Sequence, residues 1–300
     1  WSEHHFDVSS DVRMKFADDS TDPGFVWQWG AWATRGPDWW LNGTRGTRTA
    51  SICVLDSGVD ATHGDIAPNL QAAYNAIDPG RSGADDGGHG THVAGIAAGS
   101  LANAYGVGGA ANVRILSAKV LDANGAGHES DLAFGLAWCA NQGAKVAVMA
   151  LSVTDADHPT LERALAFAAK RDVLLLASAG NTGGAVQYPA SHPDVMAVSA
   201  VDGNLTLASF SSRGAQVDLA APGVHVLGPL PGGQFAFGSG TSQAVAYAAG
   251  VAALVRDAKP GYTAQQAWTA LTASAKDLGP AGRDDATGHG LVMVDAAMRR

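Results

Sequence analysis

Cysteine is nearly absent from this chain, with 2 among 300 residues. That is too few for the disulfide framework that holds small secreted domains together. Cys53 lies in a strand-like apolar run and Cys139 in a helix-like one. Both read as buried small hydrophobes, with a single bridge or a reactive thiol as the alternatives. Positive charge is also scarce: 19 Lys and Arg against 28 Asp and Glu leave a formal net charge of -9. Without clustered cations the chain lacks the electrostatic footprint of a nucleic-acid binder, so no such partner is expected. Long apolar runs are missing as well. The longest, Ala244 to Val255, is too short to span a bilayer even with its glycine counted. The amino terminus, WSEHHFDVSS, has neither a basic start nor an apolar core, so any targeting segment has been removed or was never there.

What is present is core-forming material. Hydrophobic residues make up 46% of the chain and charged ones only 16%, which suits a buried sheet covered on both faces. From residue 49 on, apolar runs of strand length alternate with helix-period segments, the pattern of βαβ units. Strands are predicted at Thr49–Leu55, Arg114–Leu121, Val146–Leu151, Val173–Ser178, Val195–Val201 and Val217–Ala220. Between them Leu132, Leu136, Cys139 and Ala140 share one helical face, as do Leu161, Ala164, Leu165 and Ala168. The fold class is therefore α/β, a mostly parallel central sheet with helices on both faces. Near the end Pro260 stops one helix; Thr263 and Gln266 have capping-box spacing for the next, whose stripe is Ala267, Trp268, Leu271 and Leu278. The segments GGHG, GVGG and PLPGG read as Gly-rich loops. Six of the eight tryptophans, at 1, 27, 29, 32, 39 and 40, fall in the first 40 residues, where periodicity is weak. They are expected to anchor an extended amino-terminal segment to the body.

Four short segments carry chemistry. Asp56 closes the apolar run SICVL and so sits at the carboxyl end of a strand, where open α/β sheets place their sites. His89, in DGGHGTHVAG, precedes small residues that suit a helix, which puts an imidazole at a helix start. His92 lies one turn on and reads as structural. Ser242 in GSGTSQAVAYAAG stands where glycines give way to an Ala/Val run; at such a helix start free N–H groups favour an oxyanion. Asn181, after the strand-like VLLLASAG, can offer its side-chain amide as a second donor. Taken singly, an Asp before Ser-Gly or an Asn in a Gly-rich turn is an ordinary turn residue. In conjunction they supply the acid, base, nucleophile and oxyanion donor of acyl transfer.

With these motifs the chain resembles the subtilisin-like serine peptidases (subtilases), whose order Asp, His, Ser it shares. The resemblance runs from about residue 22 to the carboxyl terminus and includes DPGFVWQWG, DATHGDI, GNTGGAVQYPASHPDVMAVSAVD, LASFSSRG and DLAAPG. It implies a three-layer fold over residues 22–300, with residues 1–21 an amino-terminal extension and a pro-segment remnant. It makes Ser242 the nucleophile, His89 the base, Asp56 its orienting carboxylate, and Asn181 with the Ser242 N–H the oxyanion hole. Substrate would lie extended beside Gly125, Ala126 and Gly127. The main specificity pocket would be walled by Ala150, Leu151, Ser152 and by Ala177, Ser178, Ala179, Gly180, small side chains that imply an apolar pocket. Two departures stand out. The family usually has Ser-Leu-Gly at Ala150–Leu151–Ser152, and a proline soon after the nucleophile where this chain has Gln243, Ala244, Val245 and Ala246. The loop LANAYGV, residues 101–107, implies calcium held by Asp65, Leu101, Asn103, Tyr105 and Val107. Phe25 falls where the family has a glutamine ligand. Secretion and an inhibitory pro-segment follow from the same resemblance.

A serine endopeptidase acting on protein or peptide substrates is the leading reading. A binding scaffold that has lost turnover, and an ester-preferring or single-partner enzyme, are the alternatives that the same residues leave open.

Overall fold

The computed structural model describes residues 22–40, 44–154 and 157–300. After a short 3-10 turn at Phe25–Trp27 come α1 (Trp29–Ala33) and α2 (Gly36–Trp40), then β1 (Ser51–Asp56), β2 (Leu70–Asn75), α3 (His89–Ala98), β3 (Arg114–Lys119), α4 (Glu129–Asn141) and β4 (Val146–Met149). There follow α5 (Pro159–Lys170), β5 (Leu174–Ser178), β6 (Val195–Val201), β7 (Val217–Pro222), β8 (Val226–Leu230), β9 (Gln234–Gly238), α6 (Thr241–Ala258), α7 (Ala264–Ser274) and α8 (Val294–Met298).

Seven strands form one sheet in the order β2-β3-β1-β4-β5-β6-β7, and every pairing in it is parallel. Strand β1 is buried throughout, as a central parallel strand with both faces covered must be. Its side chains alternate between two cores: Ile52 and Val54 join a cluster with α3 and α6, while Cys53 and Leu55 join one with α4 and α5. The chain passes from β3 on one side of β1 to β4 on the other, opening a crevice at the carboxyl ends of these strands. Helix α6 lies almost wholly inside, and its small residues permit close approach. A Cβ at Gly250 would meet the Ala97 carbonyl oxygen of α3 at 2.3 Å, so any larger residue there would wedge the two helices apart.

The sequence reading needs five corrections. Cys53 and Cys139 are bonded to each other, with Cα atoms 5.8 Å apart, rather than standing as separate buried thiols. Strand β2 was not anticipated because its exposure alternates at the sheet edge, leaving no continuous apolar run. The segment around PLPGG is the turn of an antiparallel hairpin, β8 against β9, not a plain loop. Leu278 lies beyond the end of α7 at Ser274, whose Thr263–Gln266 capping box is formed. Residues 25–40 are not extended but fold into short helices, with the Phe25 ring 5.4 Å from that of Trp32 and 5.9 Å from that of Trp40. Trp29 does anchor the segment, donating its indole N–H to Val224 O at 3.0 Å. Trp27 and Trp32 are 64% and 50% exposed, and Trp1 lies outside the described residues.

Candidate active site

Three adjacent strands end at one place. Leu55 of β1 pairs with Met149 of β4, and Met149 with Ala177 of β5. The residues that follow, Asp56, Ala150 and then Ser178 to Asn181, therefore emerge side by side, neighbouring strands being about 5 Å apart. Asp56 is fully buried. One of its oxygens accepts from the Ser57 N–H at 2.7 Å, and the two lie 2.8 and 2.9 Å from His89 Nδ1. A carboxylate in that position fixes Nδ1 as the protonated nitrogen and leaves Nε2 as an acceptor. His89 is the first residue of α3, entered through Gly88 at φ +86°, a left-handed conformation that a side chain would disfavour.

Ser242 is the second residue of α6, so its N–H belongs to the first turn and has no partner within the helix. Its hydroxyl donates to the Ala150 carbonyl at 3.2 Å, a long contact for an O–H donor. Asn181 is oriented by the residue before Ser242: its Oδ1 accepts from Thr241 N–H at 2.9 Å and Thr241 Oγ1 at 2.8 Å. The amide nitrogen is thereby turned away from Thr241 as a donor. Helix α6 runs unbroken past Ala246 to Ala258, so the absent proline leaves the nucleophile helix regular.

The His89 imidazole is pushed above its ordinary pKa, first by the Asp56 charge, against the opposing effect of burial, with further support from the Asp56 hydrogen bond and the Asp85 charge. His92 behaves oppositely. Burial lowers its pKa, its Nε2 contacts Ala236 O at 3.0 Å, and its Nδ1 faces Gln243 Nε2 at 3.3 Å. Both ring nitrogens are thus engaged, and the contact ties α3 to the residue after Ser242. Lys119, paired with Asp56 across the β1/β3 ladder, is buried. Its ammonium donates to Ser57 O at 2.7 Å, Leu121 O at 3.0 Å and Asp86 Oδ1 at 2.5 Å. Asp85, Ser57, Lys119 and Gln243 were not singled out from sequence. The one available signal was the Asp-Asp-Gly-Gly stretch before His89, the composition of an Asx-type turn.

Of the expected substrate edge, Ala126 is already engaged. Its N–H donates to Asp122 Oδ1 at 2.9 Å and its carbonyl accepts from Asp122 N–H at 2.7 Å, while Gly125 N–H donates to Asp122 O at 3.0 Å. The carbonyl of Gly125 and both backbone groups of Gly127 have no such local bond among the described residues. Along the expected pocket wall, Gly180 has φ +109°, and a Cβ there would lie 2.3 Å from Gln187 Oε1. A polar amide therefore stands against a wall expected to be apolar. Ser178 Oγ contacts Leu151 O at 3.4 Å, and Val153 N–H donates to Tyr188 O at 2.8 Å beyond Ser152.

The loop proposed to hold a cation gathers around Asp65, which is buried and whose pKa is raised chiefly by that burial. Asp65 accepts from Asn103 Nδ2 at 3.1 Å and Val107 N–H at 2.8 Å, and Asn103 Oδ1 accepts from Tyr105 N–H at 2.9 Å. Leu101 packs beside the Phe25 cluster. Asp22 supplies an amino-terminal carboxylate to this loop where Phe25 supplies only apolar packing, accepting from Ala102 and Asn103 N–H at 2.8 and 2.9 Å, and Gly24 N–H donates to Gly106 O at 2.8 Å. Two buried carboxylates and an amide oxygen fit a hard cation in kind, once the Asn103 amide is turned over. Among the described residues no cluster of three or more His, Cys, Asp or Glu side chains could hold a metal ion.

Comparison with known proteins matches residues 47–290 to the model of the subtilase family of peptidases. The chain is 41% identical over 251 residues to an alkaline protease of Alkalihalobacillus alcalophilus, covering 83% of this chain and 64% of that protein. It is 41% identical to subtilisin Savinase of Lederbergia lenta, covering 83% and 90%. It is 36% identical to the minor extracellular protease Epr of Bacillus subtilis strain 168, covering 97% and 45%. The chain thus spans less than two thirds of the length of several curated relatives it matches. With a match across most of its length and the parallel seven-stranded sheet beneath it, the chain belongs to the subtilase family.

Proposed function

We propose that the chain is a serine endopeptidase that cleaves peptide bonds through an acyl-enzyme on Ser242, with residues 22–300 as the peptidase domain. The observation that carries this is the buried Asp56 carboxylate held at 2.8 and 2.9 Å from His89 Nδ1, beside a helix start that presents Ser242. Catalysis requires the Ser242 side chain to rotate away from Ala150 O so that Oγ meets His89 Nε2. Nε2 takes the hydroxyl proton as Oγ adds to the carbonyl carbon, then returns it to the leaving amine as the C–N bond breaks. Water repeats the sequence to release the acid. The Ser242 N–H and the Asn181 amide receive the oxyanion. Substrate lies extended, its backbone paired with Gly125 O and Gly127, and its side chain at the cut enters between Ala150–Ser152 and Ala177–Gly180. Gln187 narrows that pocket and gives it a polar end.

Secretion and an inhibitory pro-segment complete this reading. A disulfide, which persists in oxidising compartments, supports the first. Calcium bound by Asp65, Asn103 and the carbonyls of Leu101, Tyr105 and Val107 would neutralise buried carboxylate charge. Adding a chelator is expected to lower the melting midpoint; an unchanged midpoint removes calcium from the reading.

The central test is casein cleavage with labelling by an organophosphonate. The chain as it stands should be labelled on Ser242 and cleave casein, and Ser242→Ala should do neither. Absence of label and of cleavage in both proteins would leave a scaffold that kept the fold.

A further inference from the structure

Asp85 makes more hydrogen bonds around the candidate site than any residue of the triad, and the mechanism above gives it no task. One carboxylate oxygen accepts from Ser57 Oγ at 2.8 Å, Gly88 N–H at 2.8 Å and Gly87 N–H at 3.0 Å. The other accepts from Thr91 N–H at 2.8 Å and Thr91 Oγ1 at 2.5 Å. Ser57 Oγ in turn accepts from Gly90 N–H at 3.0 Å. The residue after Asp56 and the residues on either side of His89 are thus joined through a single carboxylate.

The arrangement has a physical reason. Gly88 caps α3 without a side chain, so the first N–H groups of the helix need acceptors from elsewhere. A carboxylate at that end also suits the positive pole of the helix. Despite the cost of burial, the hydrogen bonds hold Asp85 below the usual carboxylate range, so it stays ionised. Two glycines precede His89, and a loop of that composition has no stiffness of its own; the carboxylate supplies it.

We propose that Asp85 is a positioning residue for the proposed reaction: it holds the His89 loop and the end of β1 in one register and places a second negative charge beside the imidazole. This rests on the peptidase reading only for its effect on turnover. The charged and titratable groups around His89 are Asp56 on β1, Asp85 in its own loop, His92 one turn on, and the Lys119–Asp86 pair at the end of β3. Of these, Asp56 and Asp85 raise the imidazole pKa. Removing the Asp85 charge therefore moves it down.

The test uses Asp85→Asn and Ser57→Ala, with Asp78→Asn as an exposed acidic control before the same loop. His89 is titrated by NMR in a Ser242→Ala background, which reads the imidazole whether or not the protein hydrolyses anything. Asp85→Asn should shift the His89 midpoint to lower pH. In the Ser242 form it should lower kcat on the order of 10–100-fold, the size seen when the outer hydrogen-bond partner of a metal-ligating histidine is lost, with KM changed much less. The acid limb of kcat/KM should move down with the imidazole. Ser57→Ala, which leaves the charge in place, should lower kcat several-fold without moving the midpoint, and Asp78→Asn should do neither. An unmoved midpoint in Asp85→Asn overturns the proposal, as does an equal shift in Asp78→Asn. If Asp85→Asn does not fold, an unchanged kcat in Ser57→Ala overturns it. A moved midpoint with no hydrolysis by the chain itself would uphold the placement and defeat the peptidase reading instead.

Discussion

Asn181 commits its oxygen to Thr241, so its amide nitrogen is the only part of the side chain left to donate into the cleft. Replacing it with alanine removes that donor and also the acceptor of the Thr241 N–H and Oγ1 bonds at the start of α6. For Asn181→Ala we expect kcat to fall by about 10²–10³, with the melting midpoint lowered only by the few degrees that losing a capping acceptor costs. The corresponding loss measured in a subtilisin, a member of the same family, is about 2.7–4 kcal/mol. Steady-state kinetics beside a thermal melt checks it; an unaltered kcat would remove Asn181 from the oxyanion site. Such residues were legible because each stands at a junction between regular structure and a Gly-rich turn. Asp85 was not, since an acidic residue before two glycines reads as an ordinary turn, and the bond that links it to the residue after Asp56, from Ser57 Oγ, forms only when β1 meets this loop.

The bond between Cys53 and Cys139 joins the central strand β1 to helix α4, closing a sequence separation of 86 residues. Loop-closure entropy for a crosslink of that span is about 4–5 kcal/mol. The double substitution Cys53→Ala with Cys139→Ala should therefore lower the melting midpoint on the order of 10 °C. Turnover at low temperature should be retained, because the bond lies on the face of β1 away from α3. Calorimetry of the two forms decides it, and equal midpoints would show that packing rather than the crosslink holds α4. The strand and the helix face were both readable, for Leu132, Leu136, Cys139 and Ala140 are buried as their spacing implied. That one cysteine meets the other depends on how α4 crosses the sheet.

Across the whole molecule, stability should depend on pH through Asp218, a partly buried carboxyl on β7. Burial pushes it up to about 6, against the opposing effects of the Ala197 N–H bond and Arg283. Between the unfolded value of 3.8 and about 6, the folded form holds more protons than the unfolded form, so stability falls as pH rises through that window. Asparagine can keep the bond from Ala197 N–H, now 2.9 Å, without a charge to bury. Asp218→Asn should exceed the parent by about 1–3 kcal/mol above pH 7 and gain nothing below pH 4. Denaturant titrations at the two pH values check the sign; a gain at pH 4 alone would refute it.

Periodicity and punctuation along the chain determined the parallel α/β architecture, most helix faces, and which residues could act as acid, base, nucleophile and donor. These are local properties, set by side-chain spacing and by what glycine or proline permits. Only the tertiary structure decided the edge strand, the hairpin, the disulfide, the Gln187 amide against Gly180 and the Asp85 network. The edge strand, the disulfide, the Gln187 contact and the Ser57–Asp85 bond depend on which distant segments meet, while the hairpin and the rest of the Asp85 network are local turns whose composition alone reads as plain loop; burial and hydrogen-bond satisfaction settle both once the sheet and its helices are assembled.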